Sequence, residues 1–357
     1  MFRKIKRYLK DPYFEIGHDM LAKHPNWMSD KWWLSVVWKE SMGYALDWKN
    51  PKTLNEKLQW LKLYDHNPLY TTLVDKLKVK EYVAKVIGGE HIIPTLAIYK
   101  NVDEINIDAL PNKFVLKCNH DSGSVVICRD KITFDLDAAK RKLDKAQHFN
   151  FYYQQREWPY KYVKPLIFAE TYIGEDADVK DYKLFTFNGN PEIVQVDYDR
   201  FKEHKRNFYN ANVWQYIEMQ NEYPNDKQNI EDRPNGLEEM LQCAKTLSAS
   251  LPFVRMDFYC INKKIYFGEF TLYHGGGFTK FNPQEIDNVM GDWLRMGGLS
   301  GGGCYSLEII NTFIFVLSAE NNQRLLIISF IVMVENRDIS CIHLEKQNIM
   351  YEIISSI

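Results

Sequence analysis

Two acidic side chains, those of Asp257 and Glu269, stand in strand-like segments on either side of a short polar loop. Segments 253–260 and 265–271 are predicted to pair as a β-hairpin, and a three-residue loop over 262–264 would set the two carboxylates opposite each other. Cβ atoms in such a pair lie about 5 Å apart, so two like charges there need a shared proton, a cation or solvent. Magnesium, a hard ion that takes oxygen ligands, is the natural cation.

The same register places Arg255 opposite Thr271, on the face that carries the two acids. Arginine can bind a phosphate bidentately, so Arg255 is a candidate for contact with a phosphoryl group. A register slipped by one residue would instead keep Asp257 and Glu269 apart on a solvated face. The hairpin alone favours neither the metal site nor the solvated face.

Two lysines interrupt apolar strand-like segments. Lys117 ends the apolar run 114–116, and Lys183 stands in another apolar segment, two residues after Asp181. If these strands are central, each ammonium group would point into a site and need an anion. The polar loop 119–124, which follows Lys117, can offer backbone N–H groups to phosphate oxygens. A surface hairpin would explain this loop equally well.

Hydrophobic periodicity predicts the elements that would position these residues. Helical patterns cover 26–62, 73–86, 135–147 and 236–250. Strand-like patterns cover 92–99, 114–118, 125–128 and 166–173, and two hairpins pair 182–187 with 192–196 and 253–260 with 265–271. Thr53 and Glu56 form a predicted capping box, and Asn188-Gly189 a predicted two-residue turn.

The composition is that of an ordinary globular protein. The 357 residues are 45% hydrophobic and 26% charged, which suits two or three packed units. The formal net charge of −2 gives no basic footprint, so nucleic acid is not expected as a partner. The six cysteines form no C-x-x-C pair and no zinc spacing. A reduced, cytoplasmic setting fits this pattern.

The first ten residues are basic, but no apolar run of signal-peptide length follows them. Phe2, Ile5 and Leu9 could share one face of a helix whose other positions are mostly basic. We expect a short helix docked on its own domain. Peripheral contact with the inner face of a bacterial membrane is the alternative.

After Met296 the sequence changes character. Five glycines within 297–303 form a linker, and an Ile-rich stretch without Trp or Pro follows. Its apolar runs, 309–317 and 325–334, are shorter than the roughly 20 residues that span a bilayer. We expect this tail to be foreign to the rest of the protein, through read-through, fusion or another artefact.

In their order along the chain, these features resemble an ATP-grasp enzyme, and most closely the branch of polysaccharide-biosynthesis clusters named for teichuronopeptide synthesis. The resemblance covers roughly 51–296 and rests on 54–60 (LNEKLQW), 74–76 (VDK), 114–123, 156–160 (REWPY), 181–183 (DYK) and 253–278. It implies an α+β fold in which two α+β subdomains grip ATP. The implied divisions are a helical N-terminal region (1–70), an N-terminal subdomain with the phosphate loop (71–165), a C-terminal subdomain with the metal site (166–296) and the tail (297–357).

The resemblance also implies which residues bind the nucleotide. Lys117 resembles the lysine that contacts nucleotide phosphates. The flexible loop that covers the phosphates corresponds to Asp121, Ser122, Gly123 and Ser124. The hinge that holds adenosine corresponds to Glu170, Tyr172 and Ile173. ATP and Mg²⁺ are therefore the expected cofactors.

For the cation, the resemblance implies Asp257 and Glu269 as Mg²⁺ ligands. A third ligand, usually an asparagine two residues after the glutamate, is replaced here by Thr271. A hydroxyl is a poorer Mg²⁺ ligand than an amide carbonyl, which weakens the case for a second metal. Arg255 and Lys183 are the expected catalytic residues, because they would stabilise charge on the transferring phosphoryl group.

The implied reaction joins a carboxylate to an amine. The carboxylate attacks ATP to give an acyl phosphate, and the amine then displaces phosphate to form an amide. Because water would hydrolyse the intermediate, the phosphate loop is expected to close over the site. The resemblance points to a sugar acid or amino acid of capsular or extracellular polysaccharide as substrate, and the sequence specifies neither substrate nor oligomeric state.

Two alternatives compete with this interpretation. A glycosyltransferase would need a D-x-D metal motif, and the triplets 176–178 and 197–199 have that form, although chance alone gives one or two such matches in an acidic chain. A non-catalytic member of the fold is disfavoured, because all of the charged candidate residues are present.

Overall fold

A computed structural model describes residues 29–174, 180–198, 203–297, 312–316 and 327–331. The expected basic helix within 1–10 lies outside these ranges. By internal contacts the chain divides into two compact units, Met1–Leu299 and Ser300–Ile357. The finer division of the first unit into a helical region and two subdomains stays a prediction. No helix in the described ranges is both long and apolar enough to cross a bilayer.

The described residues form eight α-helices and twelve strands. The helices are α1 (Asp30–Met42), α2 (Leu54–Tyr64), α3 (Leu69–Val74), α4 (Lys78–Ile87), α5 (Leu136–Gln147), α6 (Tyr152–Gln155), α7 (Leu237–Ser248) and α8 (Glu285–Trp293). The strands are β1 (Thr95–Tyr99), β2 (Phe114–Cys118), β3 (Val126–Cys128), β4 (Ile167–Thr171), β5 (Asp181–Phe187), β6 (Asn190–Tyr198), β7 (Lys205–Asn210), β8 (Tyr216–Ile217), β9 (Phe253–Ile261), β10 (Lys264–Thr271), β11 (Thr312–Val316) and β12 (Ile327–Ile331).

Two antiparallel sheets organise the first unit. One has four strands in the order β1-β4-β2-β3, and the other has six in the order β10-β9-β5-β6-β7-β8. In the second unit, β11 and β12 pair antiparallel. Helices combined with antiparallel sheets confirm the predicted α+β class.

Each sheet in the first unit has its own hydrophobic core. One core lies on the face of the four-stranded sheet that carries Phe114, Leu116 and Cys118, and Leu143 of α5 packs into it. The other unites the six-stranded sheet with α2, α3, α4 and α7. Because successive strand residues alternate between faces, Lys117 lies on the face of the four-stranded sheet opposite its core. The face that carries Lys117 is therefore the one on which a binding site could form.

The helix predicted over 73–86 is interrupted, because α3 ends before Asp75 and α4 begins at Lys78. Asp75 has an extended backbone, and its Oδ1 accepts from the backbone N–H groups of Leu77 (3.0 Å) and Lys78 (3.3 Å). A side-chain oxygen that satisfies these donors starts a new helix in place of continuing the old one. The break lets the backbone N–H of Lys76 bond the Asn119 carbonyl at 2.9 Å, which draws this segment to the polar loop.

The β9–β10 hairpin has the predicted residue pairs, but its loop differs from the predicted one. Its loop has two residues, Asn262 and Lys263, both with left-handed backbones (φ 51° and 68°), so the predicted three-residue loop is wrong. The register then shifts between Phe267 and Glu269, which makes Gly268 the extra residue of a β-bulge. The bulge restores the predicted pairs, Glu269 with Asp257 and Thr271 with Arg255.

Helix α2 carries buried polar side chains that bind the distant C-terminal part of the first unit. Its predicted capping box is present, because the side chain of Thr53 accepts from the Glu56 N–H and Glu56 Oε2 accepts from the Thr53 N–H. In the same first turn, the Asn55 amide donates to the Thr279 carbonyl and to Asp287 Oδ2, both at 2.8 Å, and accepts from the Thr279 N–H at 3.1 Å. These bonds fasten α2 to residues more than 200 positions away.

We expect Asn55→Ala to lower the free energy of unfolding by about 3 kcal/mol, because it leaves buried partners at Thr279 and Asp287 unsatisfied. Urea denaturation at an unchanged m-value measures the loss. Asn190→Ala serves as the control, since Asn190 is exposed and makes one local bond of 3.4 Å. Equal losses in the two variants would contradict the fastening role of Asn55.

Candidate active site

Asp257 is the centre of a buried charge cluster on the six-stranded sheet. Arg255 donates from Nε to Asp257 Oδ1 at 2.7 Å and from Nη2 to Oδ2 at 2.8 Å. Lys183, which faces Asp257 from β5, donates to the same Oδ2 at 2.7 Å. Burial alone would raise the pKa of Asp257, but these two cations bring it below its usual value. The chain's own cations thus compensate this carboxylate.

Lys183 lies among three carboxylates. It donates to Asp181 and Asp257, and Asp197 Oδ2 lies 3.7 Å from its Nζ. Burial would lower the pKa of Lys183, yet Asp181 and Asp257 raise it above its usual value, so the ammonium stays charged. Asp197 in turn accepts from Arg206 Nε at 2.6 Å. Asp181 and Arg206 were not predicted as site residues.

Glu269 is the open member of the carboxylate pair. Its side chain is 36% exposed, and its nearest cations are Arg255 Nη2 at 3.6 Å and Lys76 Nζ at 4.0 Å. Thr271 follows on the same strand, opposite Arg255. Across the described residues, no group of three or more His, Cys, Asp and Glu side chains is placed to hold a metal. A cation here would have to use the two carboxylates together with ligands of other kinds, such as a hydroxyl, water or phosphate.

Lys117 and Glu170 meet on the four-stranded sheet, away from its core. Glu170 Oε2 lies 2.8 Å from Lys117 Nζ, and Glu170 Oε1 lies 3.2 Å from Lys80 Nζ. Burial would raise the pKa of Glu170, but the two lysines bring it below its usual value. Burial lowers the pKa of Lys80. Lys80 was missed because helical periodicity assigned it to a solvated face.

The predicted hinge residues follow this pair directly. Strand β4 ends at Thr171, so Tyr172 and Ile173 are the next two residues, and both are partly buried. Arg129 Nε donates to the Tyr172 hydroxyl at 3.4 Å. Glu170, Tyr172 and Ile173 therefore lie within one short segment beside Lys117, and their role as an adenosine hinge stays a prediction.

The predicted phosphate loop is anchored at both ends. Ser124 Oγ donates to Asp121 Oδ1 at 2.6 Å and accepts from the Cys118 N–H at 3.0 Å. Asp121 and Ser124 are buried, whereas Ser122 and Gly123 are exposed. Gly123 has a φ of 103°, a left-handed value that favours glycine. The anchors fix the loop, and its tip is free to approach an anion.

Lys76 links the phosphate loop to the charged hairpin. Its ammonium group donates to the Asp121 carbonyl and lies 4.0 Å from Glu269 Oε2. Sequence reasoning did not assign Lys76 to the site, although it belongs to the VDK segment of the resemblance. Among the described residues, no hydrogen bond or ion pair joins Lys117 or Glu170 to the Asp257 cluster. Lys76 therefore connects the hairpin to the phosphate loop, and not to Lys117 or Glu170.

The tyrosine of the REWPY segment also lies at this junction. Burial raises the pKa of Tyr160 well above its usual value, and the charges of Glu157, Glu269 and Asp121 raise it further while Arg255 opposes them. A phenol in this setting stays protonated and can donate a hydrogen bond. Tyr160 was missed as a site residue.

Of the acidic residues in the two D-x-D triplets, the structure describes one, Asp197. The triplet 176–178 and Asp199 lie outside the described residues. Asp197 is buried and bonded to Arg206. The structure therefore offers no support for a D-x-D centre.

Comparison with known proteins identifies the class first: the chain is an ATP-grasp protein. It belongs to the TupA-like ATP-grasp family, whose model matches residues 56–295, more than half of the sequence. A search of curated proteins finds no match.

Solved structures of ATP-grasp ligases are similar to the chain at low identity. D-alanine–D-alanine ligase from Bacillus anthracis, complexed with ATP, is 14% identical with a TM-score of 0.34, over 66% of this chain and 60% of that chain. The corresponding ligase from Helicobacter pylori is 17% identical with a TM-score of 0.37, over 67% of each chain. The ATP-grasp ligase PsnB, complexed with a precursor variant, Mg and ADP, is 11% identical with a TM-score of 0.37, over 68% of this chain and 65% of that chain. These values describe likeness of fold alone.

Proposed function

We propose that the protein joins a carboxylate to an amine through an acyl phosphate. A carboxylate oxygen of the first substrate attacks the γ-phosphorus of ATP and ADP leaves. The amine of the second substrate then attacks the acyl carbon, phosphate leaves, and the amine loses a proton as the amide forms. The proposed substrates are a sugar acid or an amino acid used in capsular or extracellular polysaccharide synthesis, and the proposed setting is the bacterial cytoplasm.

One observation carries this proposal: charged Lys183 and Arg255 converge on Asp257 beside the open carboxylate of Glu269. Phosphoryl transfer depends mainly on positioning and on stabilising charge at the transferring group. Arg255 and Lys183 are placed to supply that charge, and Lys76 connects the position to the phosphate loop. Family membership supports ATP as the source of the phosphoryl group.

The donor set fits Mg²⁺. Glu269 has only long contacts with cations, so its oxygens are accessible, while Asp257 would share an oxygen that now accepts from Arg255 and Lys183. Mg²⁺ commonly takes one or two carboxylates and completes its shell with water and phosphate oxygens, and Thr271 could add a hydroxyl. Such an ion would offset the negative charge of the phosphate oxygens.

The chain's other residues would bind the nucleotide and exclude water. Lys117, oriented by Glu170, would donate to a phosphate oxygen, and the tip of the loop at Ser122 and Gly123 would offer backbone N–H groups. Glu170, Tyr172 and Ile173 would hold the adenosine. Closure of the loop would protect the acyl phosphate from hydrolysis.

A phosphate-release assay tests the function. The full chain is incubated with ATP, Mg²⁺ and a panel of uronic acids paired with amino acids, and products are identified by mass. We expect ADP, phosphate and one amide product in equal amounts, and we expect EDTA to abolish all three because the charge of the triphosphate would lose its counter-ion.

The glycosyltransferase alternative predicts a different result. Tight binding of a nucleotide sugar in calorimetry, together with no binding of ATP, would contradict the ligase. Hydrolysis of ATP without any dependence on a carboxylate substrate would contradict the acyl phosphate.

A further inference from the structure

A buried lysine of α2, Lys62, lies between two segments that border the proposed site. Its ammonium group donates to the Gly276 carbonyl at 2.6 Å, to the Gln155 carbonyl at 2.8 Å and to Gln59 Oε1 at 3.1 Å. The side chain is 1% exposed. All three donors of the ammonium group are therefore used inside the protein.

The first segment is the glycine turn His274–Gly277, which follows β10. Its three glycines have left-handed backbones (φ 55°, 61° and 69°). A Cβ atom at Gly276 would lie 1.9 Å from Gln155 Oε1, so any other residue there would displace the Gln155 side chain. Gln59 Nε2 adds bonds to the carbonyls of Gly276 (3.0 Å) and Gly277 (2.7 Å). Glycine residues are conformationally flexible, so the bonds from helix α2 fix a backbone conformation that the glycines themselves do not.

The second segment runs from Gln155 to Tyr160 and contains the REWPY motif. Arg156 has a left-handed backbone (φ 58°) and is 1% exposed. The Tyr160 N–H donates to the Glu157 carbonyl at 3.2 Å. Lys62 grips this segment at its first residue, through the Gln155 carbonyl.

Both segments reach the reacting end of the site. In the glycine turn, His274 Nδ1 accepts from Arg255 Nη1 at 3.2 Å. In the second segment, Tyr160 interacts electrostatically with Glu269 and Arg255. A displacement of either segment would therefore change the surroundings of Arg255.

Stability alone does not require a lysine at position 62, because an apolar side chain could fill the same volume without burying a charge. Burial lowers the pKa of Lys62 to about 7, and it raises that of Glu157 to about 7. Burying such a pair contributes little net stability, since apolar replacements of buried ion pairs are often neutral or stabilising. The contacts of Lys62 instead specify where two backbone segments lie.

We propose that Lys62 is a positioning residue of the ligase. It fixes the glycine turn and the REWPY segment relative to each other and to Arg255 and Glu269. This inference rests on the proposed function for its consequence in catalysis. The positioning itself is a property of the fold.

Lys57 provides a matched control on the same helix. Its ammonium group also donates to two backbone carbonyls, those of Gly291 (2.7 Å) and Leu294 (2.8 Å), which belong to the C-terminal end of α8. Lys62→Met and Lys57→Met therefore each remove two bonds to backbone carbonyls, at different places. Gln59→Met, which removes the neighbouring anchors of the same turn, tests the inference if Lys62→Met does not fold.

Hydrogen exchange of the full chain tests positioning whatever reaction the enzyme catalyses. We expect Lys62→Met to speed exchange in peptides that cover 155–160 and 274–279, and Lys57→Met to speed exchange only in those that cover 285–295. The same exchange pattern in both variants would overturn the inference.

Catalysis is tested with MgATP and the panel described above. We expect Lys62→Met to lower kcat for phosphate release at least about tenfold, because small misplacements at a reacting centre have large effects. The KM for ATP should stay within about twofold, and Lys57→Met should keep kcat within about twofold. A kcat for Lys62→Met equal to that of Lys57→Met would overturn the catalytic role. An inactive wild type would contradict the proposed function instead, and exchange would still decide positioning.

Discussion

Replacing Asp257 by asparagine is expected to abolish ATP turnover, with kcat for phosphate release falling about a thousandfold. The asparagine amide has nearly the same shape but carries no charge, so Arg255 and Lys183 lose the anion that orients both of them. The change also removes one of the two carboxylates proposed to bind Mg²⁺. Losing even one preorganised electrostatic contact lowers rates by about a hundredfold to a thousandfold, and this change affects three.

Saturating Mg²⁺ makes the experiment decisive. If full phosphate release persists in Asp257→Asn at any Mg²⁺ concentration, the metal assignment is wrong. Asp137→Asn, at an exposed position in the first turn of α5, should retain wild-type turnover. Circular dichroism on both variants separates a loss of catalysis from a loss of folding.

Replacing Lys117 by methionine is expected to raise the dissociation constant for MgATP by about ten- to a hundredfold. Methionine keeps most of the apolar length and removes the charge. A hydrogen bond to a charged group contributes about 1.5–3 kcal/mol, and each 1.4 kcal/mol corresponds to about a factor of ten. Glu170 would keep Lys80 as a partner, so we expect the local fold to persist. Isothermal titration calorimetry measures the change.

The control for this variant is Lys145→Met. Lys145 is exposed on α5, the helix that packs on the opposite face of the four-stranded sheet. If both variants bind MgATP equally well, Lys117 is not the phosphate ligand, and the assignment of this face of the sheet to the nucleotide fails.

Local signals in the sequence were the reliable ones. The turn at Asn188-Gly189 has left-handed backbones at both residues, as its sequence predicts. The capping box at Thr53 and Glu56 is also present, because both its bonds form within four residues. Strand β2 matches its predicted bounds, since a short apolar run between polar segments is compatible with few structures other than a buried strand.

Features that depend on distant contacts were not predictable. The bulge at Gly268 shows no sequence signal beyond the glycine itself, yet it decides which residues face Asp257. Strand β7 was missed because it reads as polar (KRNFYN). Its Arg206 and Asn207 are buried, and the partners that satisfy them include Asp197 and the backbone of Asp226.

For the candidate site, the sequence indicated residues but not their arrangement. Asp257, Glu269 and Arg255 were identified from one hairpin, and the structure places them together. Lys76 was missed because the sequence predicts a continuous helix there. The helix is interrupted because Asp75 Oδ1 accepts hydrogen bonds from the Leu77 N–H and from the distant Asn119 amide, and the sequence does not reveal the second of these. The role of α2 was hidden for a similar reason, because Gln59 and Lys62 bind backbone more than 200 residues away.

The pairing of Asp257 with two tethered cations has a consequence for the order of binding. A Mg²⁺ ion bound as proposed would compete with Arg255 and Lys183 for the oxygens of Asp257. The two side chains already serve as counter-ions of this carboxylate. The phosphates of a nucleotide would give both cations new anionic partners and release the carboxylate. Metal and nucleotide should then bind cooperatively, each raising the affinity for the other.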